Sequence, residues 1–312
     1  MEGIIKAVCI SEKRGTVKKN INEVKVIKDF GLEGDAHAGK WHRQVSFLSA
    51  DIVDEFNEKG ASVIEGDFGE NVLVYGIDFK KLPVGTKLIC NDVKFEVTQI
   101  GKECHSHCEI YKRVGDCIMP REGIFAKVLE GGMIKVGDKI KVIYPDKDMP
   151  YQAAVITLSD KGSRGERVDT SGPKASEILR EHGFEIIEEI LLPDEMAQIK
   201  KELIRLSDSR QVDGMITTGG TGLSPRDCTP EATLAVADRN VPGIAEAIRA
   251  GSMTITKRAM LSRGVSVIRK KTLIINLPGS KKAVEEGLSF IIDQLPHGLD
   301  TLRGNTQDCG RN

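Results

Sequence analysis

The stretch that most constrains the fold is residues 213–233, DGMITTGGTGLSPRDCTPEAT. It places a short apolar run before a glycine-rich turn at 219–222 and a helix start after it, with Thr229 as the expected N-cap and Pro230 in the first turn. Glycine lets backbone N–H groups approach an oxygen-rich ligand, and a helix N-terminus adds partial positive charge. This order predicts an anion-binding turn. Glycines alone would also suit a tight turn between a strand and a helix that binds no ligand.

One carboxylate, Asp227, lies between the glycine-rich turn and the helix start. Mg²⁺ is usually bound by few carboxylates together with phosphate oxygens. Because Thr229 is expected to cap the helix, Asp227 has little structural reason to be there. We therefore predict that Asp227 helps to bind a magnesium–phosphate ligand.

The pattern of the chain changes at residues 144–150, YPDKDMP, which are polar and contain two prolines. A length of 312 residues favours two domains, and we place them at 1–145 and 151–312. Short β-like runs separated by turns predict a β-rich barrel or sandwich for the first. Its candidate strands are 4–10, 24–27, 45–48, 71–74, 87–90, 93–100 and 140–143, and its candidate helix is 51–59.

The second half alternates strand, turn and helix, which predicts an α/β domain with a doubly wound, mostly parallel sheet. Its candidate strands are 153–158, 186–192, 215–218 and 272–277. In an open α/β sheet, ligands bind at the carboxyl ends of the strands. Polar residues and glycines follow those ends, and the candidate ligand-binding residues are Ser159, Asp160, Gly219, Gly220, Thr221, Gly222, Ser224, Arg226, Asn276, Pro278, Gly279 and Ser280, with Asp194 beside them. The structural alternatives are a helix cap for Asp194 and a solvated turn for Asp160.

Composition limits the classes of partner. Lys and Arg number 45 against 46 Asp and Glu, so nucleic acid is a poor candidate. No apolar segment resembles a signal peptide or is long enough to span a bilayer. Seven sparse cysteines favour a reducing cytoplasm. Few aromatic residues lie in the second half, so we expect its ligand to be held through phosphates and polar edges rather than by stacking.

The second half is similar to the molybdopterin adenylyltransferase (MogA/MoaB-type) domains of molybdenum cofactor biosynthesis. The similarity runs over nearly all of 151–303, through AAVITLSDKGSRGERVDTSG, LLPDE, TTGGTGLSPRDCTPEATLAVADR, PGIAEAIR and LSRGVSVIRKKTLIINLPGS. It implies a homotrimer and transfer of AMP from Mg-ATP to the terminal phosphate of molybdopterin, with release of pyrophosphate. The two functional aspartates of that family fall on Asp194 and Asp227, which would also bind Mg²⁺.

The first half resembles MOSC domains over about 1–145, through GLEGDAHAGKWHRQVSFLS, EGDFGENVLVYGID and Cys104 in QIGKEC. This resemblance implies a β-rich barrel that binds a molybdopterin-type cofactor, ligates molybdenum or carries sulfur on Cys104. Lys102, His105 and His107 would raise the thiolate fraction of Cys104, whereas Cys9 and Cys90 are expected to lie in the core.

Three alternatives stay open on the residues alone. Cys104, His105, His107, Cys108 and Cys117 form a loose candidate zinc site, without a second Cys-x₂-Cys pair. His37 and His42 either contact a cofactor or pack beside Trp41. The whole chain is either an adenylyltransferase or a non-catalytic binding and carrier protein for molybdopterin or molybdate.

Overall fold

The computed structural model describes residues 1–103, 111, 116–146 and 148–304. The chain divides into two compact units, one that ends at Asp146 and one that follows it. We call them the N-terminal and C-terminal units. In the described residues, no helix is both long and apolar enough to cross a membrane.

The N-terminal unit is built around a closed barrel. Its described elements are β1 (Glu2–Ile10), β2 (Lys19–Asn20), β3 (Glu23–Ile27), β4 (Gly31–Leu32), β5 (Val45–Ser49), α1 (Ala50–Glu58), β6 (Val72–Tyr75), β7 (Lys87–Cys90), β8 (Val93–Ile100), α2 (Met119–Glu122), β9 (Ile124–Glu130), β10 (Gly132–Lys135) and β11 (Lys139–Ile143). Seven of these strands run in the order β11-β7-β8-β9-β5-β6-β1, and pairing between β11 and β1 closes the ring. The prediction of a β-rich barrel is confirmed.

The barrel is filled by apolar side chains from alternate positions of its strands. Phe47, Phe79 and Phe95 form its centre, with the ring of Phe47 5.1 Å from that of Phe95 and 5.7 Å from that of Phe79. Tilted and edge-on aromatic pairs of this kind stabilise a core beyond the area that they bury. The Asn91-Asp92 pair between two candidate strands predicts a tight hairpin. The hairpin is present, because Cys90 pairs with Val93 and Asn91 has a φ of 53° in the turn between them.

Strands β9 and β10 were not predicted from the sequence. Gly131 separates them and Gly132 begins β10, and two consecutive glycines are typical of a loop. At Gly131, a Cβ atom would lie 2.6 Å from the carbonyl oxygen of Val26. Glycine here thus allows the backbone to approach a neighbouring strand closely. In the sequence alone, a glycine with this role cannot be distinguished from a glycine in a turn.

The C-terminal unit is an α/β domain, as predicted. Its described elements are β12 (Gln152–Leu158), α3 (Asp160–Ser163), α4 (Ser171–Glu181), β13 (Glu185–Leu192), α5 (Met196–Ile204), β14 (Gly214–Thr218), α6 (Thr229–Leu234), β15 (Arg239–Asn240), α7 (Pro242–Ile255), β16 (Ser266–Arg269), β17 (Thr272–Leu277), α8 (Lys281–Ser289) and α9 (Leu295–Arg303). The sheet order is β13-β12-β14-β17-β16-β15. The first four strands are parallel, whereas β16 and β15 pair antiparallel.

Helices cover both faces of this sheet. Val155 of β12 packs in a cluster with Leu179 of α4, whereas the adjacent Ile156 packs in a second cluster with Leu203 of α5. Successive residues of a strand point to opposite faces, so β12, buried on both sides, is apolar throughout. Each such side chain contributes roughly 1.5–3 kcal/mol when it is fully buried.

Two helix starts differ from the sequence prediction. Cys228, not Thr229, is the N-cap of α6, and Thr229 is the first helical residue. Glu195, not Asp194, is the N-cap of α5. In both cases the side chain that could cap the helix makes a tertiary hydrogen bond instead, which removes the local reason for capping.

Candidate functional site

A cavity of about 690 Å³ lies in the C-terminal unit, where the loops after β12, β14 and β17 meet. This is the position expected for a ligand site in an open α/β sheet. Ten of the residues predicted from the sequence line it: Ser159, Asp194, Gly219, Gly220, Thr221, Gly222, Asp227, Pro278, Gly279 and Ser280.

The glycine-rich turn packs too tightly for side chains. Gly219 and Gly220 have φ angles of 99° and 62°, in the left-handed region. A Cβ atom at Gly219 would clash with the carbonyl oxygen of Leu158, and one at Gly220 would clash with Oγ1 of Thr229. Thr229 in turn donates a hydrogen bond to the carbonyl oxygen of Gly219 at 3.0 Å. The turn is therefore fixed against the start of α6, with its backbone at the cavity wall.

Asp194 presents one unsatisfied carboxylate oxygen at this turn. Its Oδ2 accepts a hydrogen bond from the backbone N–H of Asp160 at 3.0 Å. Its Oδ1 is buried and has no hydrogen-bond partner among the described residues. Burial raises the pKa of Asp194, and the nearby carboxylates of Asp160 and Asp227 raise it further. A buried oxygen without a donor, among like charges, is a candidate ligand for a cation.

Asp227 lies against Gly222 of the same turn, where a Cβ atom on the glycine would be 2.9 Å from Oδ2 of Asp227. Its Oδ2 accepts a hydrogen bond from the backbone N–H of Ser224 at 3.0 Å. Arg263 secures the surrounding loop, because its guanidinium donates to the carbonyl oxygens of Gly222 and Asp227, at 2.7 Å each. Sequence reasoning did not single out Arg263, whose part depends on bonds to backbone distant in sequence.

Four predicted ligand-binding residues are absent from the cavity lining. Asp160 and Arg226 form an ion pair with each other at 2.9 Å. The hydroxyl of Ser224 accepts from the backbone N–H of Arg226 at 3.3 Å. Asn276 is buried in the core, where its amide donates to Thr217 at 2.9 Å and to Thr233 at 3.0 Å. The structure therefore places these side chains in contacts that support the site's loops and core.

Three charged residues that line the cavity were not predicted from the residues: Arg167 and Asp169, before α4, and Arg258, after α7. The carboxylate of Asp169 accepts hydrogen bonds from Thr157 at 2.6 Å and from the backbone N–H of Ser171 at 2.9 Å. Arg167 and Arg258 make no ion pair with any described residue, and they place positive charge at the cavity. Arg167 and Asp169 fall within GERVDTSG, whereas nothing in the sequence marked Arg258.

The residues present are compatible with one Mg²⁺ ion. In the described residues, no cluster of three or more His, Cys, Asp or Glu side chains could hold a metal. Mg²⁺ does not need such a cluster, since it keeps several waters and is often bound by one or two carboxylates and substrate phosphates. Asp194, with its unpartnered Oδ1, and Asp227 supply a set of that kind.

In the N-terminal unit, the GDAHAG and GEN motifs meet at a buried ion pair. Asp35 accepts from Lys18 at 2.8 Å and from Asn71 at 3.1 Å, and both charged side chains are at most 3% exposed. Although burial alone would raise the pKa of Asp35, the nearby imidazole of His37, 3.9 Å away, and the hydrogen bond from Lys18 hold that pKa well below its usual range. Asp35 therefore serves to fix the motif loop.

The structure describes some of the histidines and cysteines that the sequence singled out. His42 bonds to Gln99 at 2.9 Å, and the indole of Trp41 donates to the carbonyl oxygen of His37 at 3.0 Å. Cys9 and Cys90 are buried as expected, and burial raises the pKa of each thiol to about 12. The candidate sulfur carrier Cys104 lies outside the described residues, as do His105, His107 and Cys108 of the zinc alternative, whereas Cys117 is buried.

Comparison with known proteins agrees with the division into two units. Residues 154–297 match the family model of a probable molybdopterin binding domain, and residues 34–141 match that of a MOSC domain. Among curated relatives, the molybdopterin adenylyltransferase of Helicobacter pylori strain J99 is 40% identical over 153 residues, which are 48% of this chain and 87% of the relative. That of Escherichia coli K12 is 44% identical over 142 residues, 45% of this chain and 72% of the relative.

A solved structure is also similar. The molybdopterin biosynthesis enzyme MoaB of Thermus thermophilus is 46% identical, covers 49% of this chain and 97% of its own, and has a TM-score of 0.48. Each of these three matches covers about half of this chain. With a MOSC domain in its N-terminal half, the chain belongs through its C-terminal half to the molybdopterin adenylyltransferase family.

Proposed function

We propose that the C-terminal unit transfers AMP from Mg-ATP to the terminal phosphate of molybdopterin. The observation that carries this proposal is the placement of Asp194 and Asp227 against the glycine-rich turn, at one cavity. The names of the relatives, molybdopterin adenylyltransferase, support the same reaction. The cavity volume of about 690 Å³ is within the range that small-molecule sites occupy.

The chain's own residues would bind and orient the phosphates. Gly219 and Gly220 offer backbone without side chains at the cavity wall, and Arg167 and Arg258 bring positive charge to it. Ser280 caps α8 by accepting a hydrogen bond from the backbone N–H of Ala283, so this helix start adds partial positive charge. Positioning and electrostatic stabilisation dominate catalysis of phosphoryl-type transfers.

In the proposed step, a phosphate oxygen of molybdopterin attacks the α-phosphorus of ATP. The bond from that phosphorus to the oxygen bridging the α- and β-phosphates breaks, and pyrophosphate leaves. Bound Mg²⁺ would neutralise charge on the phosphate oxygens. Asp194 and Asp227 would hold the ion, and its charge would offset the burial and the carboxylate repulsion that raise the pKa of Asp194.

For the N-terminal unit we propose that the MOSC domain binds a molybdopterin-type cofactor and that Cys104 carries sulfur. The match of this unit to the MOSC family model supports the cofactor-binding part of this proposal.

For the C-terminal unit we propose homotrimeric assembly, which the family resemblance implies. This assembly is supported by apolar side chains that are exposed in the single chain. They are Met253 and Ile255 of α7 and Met260 after it, and another subunit would cover them.

Release of pyrophosphate tests the proposed reaction against a non-catalytic carrier. The full-length protein with Mg-ATP and molybdopterin should release pyrophosphate, and omission of molybdopterin should abolish the release. A carrier would bind molybdopterin without consuming ATP. Binding without pyrophosphate release would therefore overturn the enzymatic proposal.

A further inference from the structure

Arg226 connects the loop that carries Asp227 to Asp160, the first residue of α3. This arginine directly precedes Asp227, and its guanidinium donates two hydrogen bonds to the carboxylate of Asp160. Nε lies 3.0 Å from Oδ2, and Nη2 lies 2.9 Å from Oδ1. A two-point contact between planar groups fixes orientation as well as distance.

Asp160 continues this connection to Asp194. The backbone N–H of Asp160 donates to Oδ2 of Asp194 at 3.0 Å, and the backbone N–H of Asp194 donates to Oδ1 of Asp160 at 3.1 Å. One carboxylate oxygen of Asp194 is thereby held, and the other, Oδ1, has no partner among the described residues. The held oxygen fixes the direction in which the unpartnered oxygen points.

We propose that Asp160 and Arg226 are positioning residues that hold Asp194 and Asp227 at the spacing needed for one divalent cation. The inference rests on the proposed function, which supplies the need for that cation. Neither residue lines the cavity. Their effect therefore passes through Asp194, by the exchanged hydrogen bonds, and through Asp227, by the adjacent peptide bond.

Arg226 lies at the surface, so its effect on the positions of the two carboxylates can be tested without a large loss of stability. The side chain of Arg226 is 53% exposed, and it also pairs with Glu195, which is 50% exposed. Exposed ion pairs contribute little to the free energy of unfolding. Substitution of Arg226 should therefore leave the fold intact and change mainly the geometry of the two carboxylates.

Binding of Mn²⁺ to the full-length protein, measured by electron paramagnetic resonance, tests this inference. The measurement includes α,β-methylene-ATP, which cannot be cleaved between its α- and β-phosphorus atoms. Arg226→Met and Asp160→Asn should each raise the Kd for Mn²⁺ by about tenfold, the size of effect seen when groups that orient metal ligands are lost. The double variant should be no weaker than either single variant, because the two residues act as one unit.

Two further variants separate the specific contact from general charge. Arg226→Lys keeps the charge but not the two-point geometry, so it should restore only part of the affinity. Arg164→Gln is the matched control, since Arg164 pairs with Glu166 at 2.8 Å and bonds to neither Asp194 nor Asp227. It should bind Mn²⁺ as the wild-type protein does.

Amide hydrogen exchange in the ligand-free protein supplies a readout that does not depend on catalysis. Exchange at the amide of Asp194 should accelerate in Arg226→Met and stay unchanged in Arg164→Gln. Equal Mn²⁺ affinity, or equal exchange, in the wild-type protein and Arg226→Met would overturn the positioning role. A wild-type protein that binds no Mn²⁺ with the nucleotide analogue would refute the proposed function itself, and the positioning role with it.

Discussion

Gly220 faces Asp194 so closely that a Cβ atom on the glycine would lie 2.9 Å from Oδ1 of the aspartate. This is the same oxygen that is buried without a partner among the described residues. The absence of a side chain at Gly220 thus leaves room beside the candidate cation ligand. The glycine-rich turn and the carboxylate are therefore parts of one site, although 26 positions separate them in the sequence.

This contact predicts a selective effect of Gly220→Ala. The new methyl group would press on Asp194 and Thr229, and the positive φ of 62° would add strain of roughly 1–2 kcal/mol. We expect loss of pyrophosphate release together with a modest fall in melting temperature. Gly183→Ala is the matched control, because Gly183 has a φ of 82° and no atom within 4 Å of a Cβ. Equal activity of the two variants would contradict the prediction.

The variant Asp227→Asn tests the second carboxylate. It keeps the shape of the side chain and an oxygen that can accept from Ser224, so the melting temperature should stay within the error of the wild-type value. Loss of the negative charge should lower kcat by about 10²–10³-fold, the size found when one electrostatic contact to a transition state is removed. Full activity of Asp227→Asn would show that the assignment is wrong.

Independent folding of the two halves is a third prediction. The barrel core around Phe47 and the clusters on both faces of β12 are built from separate parts of the chain. Fragments 1–145 and 150–312 should therefore each melt cooperatively, and the second should bind ATP by itself. Light scattering on the second fragment should give the mass of a trimer. A fragment that is soluble only together with the other half would contradict independent folding.

Reactivity of Cys104 is a fourth prediction. Lys102 and two histidines lie within three residues of it, and positive neighbours favour the thiolate. Cys9 and Cys90 are buried, and burial raises the pKa of each thiol to about 12. Alkylation at pH 7 should therefore rank Cys104 well above both. Cys104→Ala should leave pyrophosphate release intact, and a Cys104 inert to alkylation would refute the sulfur-carrier proposal.

Periodic features of the sequence predicted much of the fold. Apolar runs such as those of β8 and β12 identified strands, because a buried strand needs apolar side chains whichever strand it pairs with. The glycine-rich turn and Asp227 were also recognisable, since strand, turn and capped helix are consecutive. The hairpin at Asn91 was predicted for the same reason: its signal is local.

Features that depend on distant partners were not predictable. Asp160 and Asp194 exchange hydrogen bonds across 34 positions, and Arg226 reaches Asp160 across 66. Those bonds explain why Asp194 does not cap α5. For Asn276 the sequence suggested a ligand contact that the structure does not show. It lies at a strand end, yet its amide donates hydrogen bonds to two buried threonines. Chain position indicates which end of the sheet a residue occupies, but not the direction of its side chain.

The last prediction concerns Glu70, which is buried in the N-terminal unit. Its Oε1 accepts from the backbone N–H of Gly66 at 2.6 Å, while Oε2 has no partner in the described part of the chain. Burial raises the pKa of Glu70 to about 7, against the opposing effects of backbone hydrogen bonds and of Lys18. Because the folded-state pKa lies above the ordinary value of 4.5, the protonated carboxyl is the form that folding favours.

The consequence is a stability that falls as pH rises. The contribution of Glu70 is fully present below the ordinary pKa and is lost as pH rises through about 7, with a size on the order of 3 kcal/mol. Urea unfolding followed by fluorescence measures this in the N-terminal unit, because Trp41 is the only tryptophan of the chain. Glu70→Gln mimics the protonated side chain and should be more stable than the wild-type protein at pH 8, but not at pH 5. The same pH dependence in both proteins would show that it does not arise from Glu70.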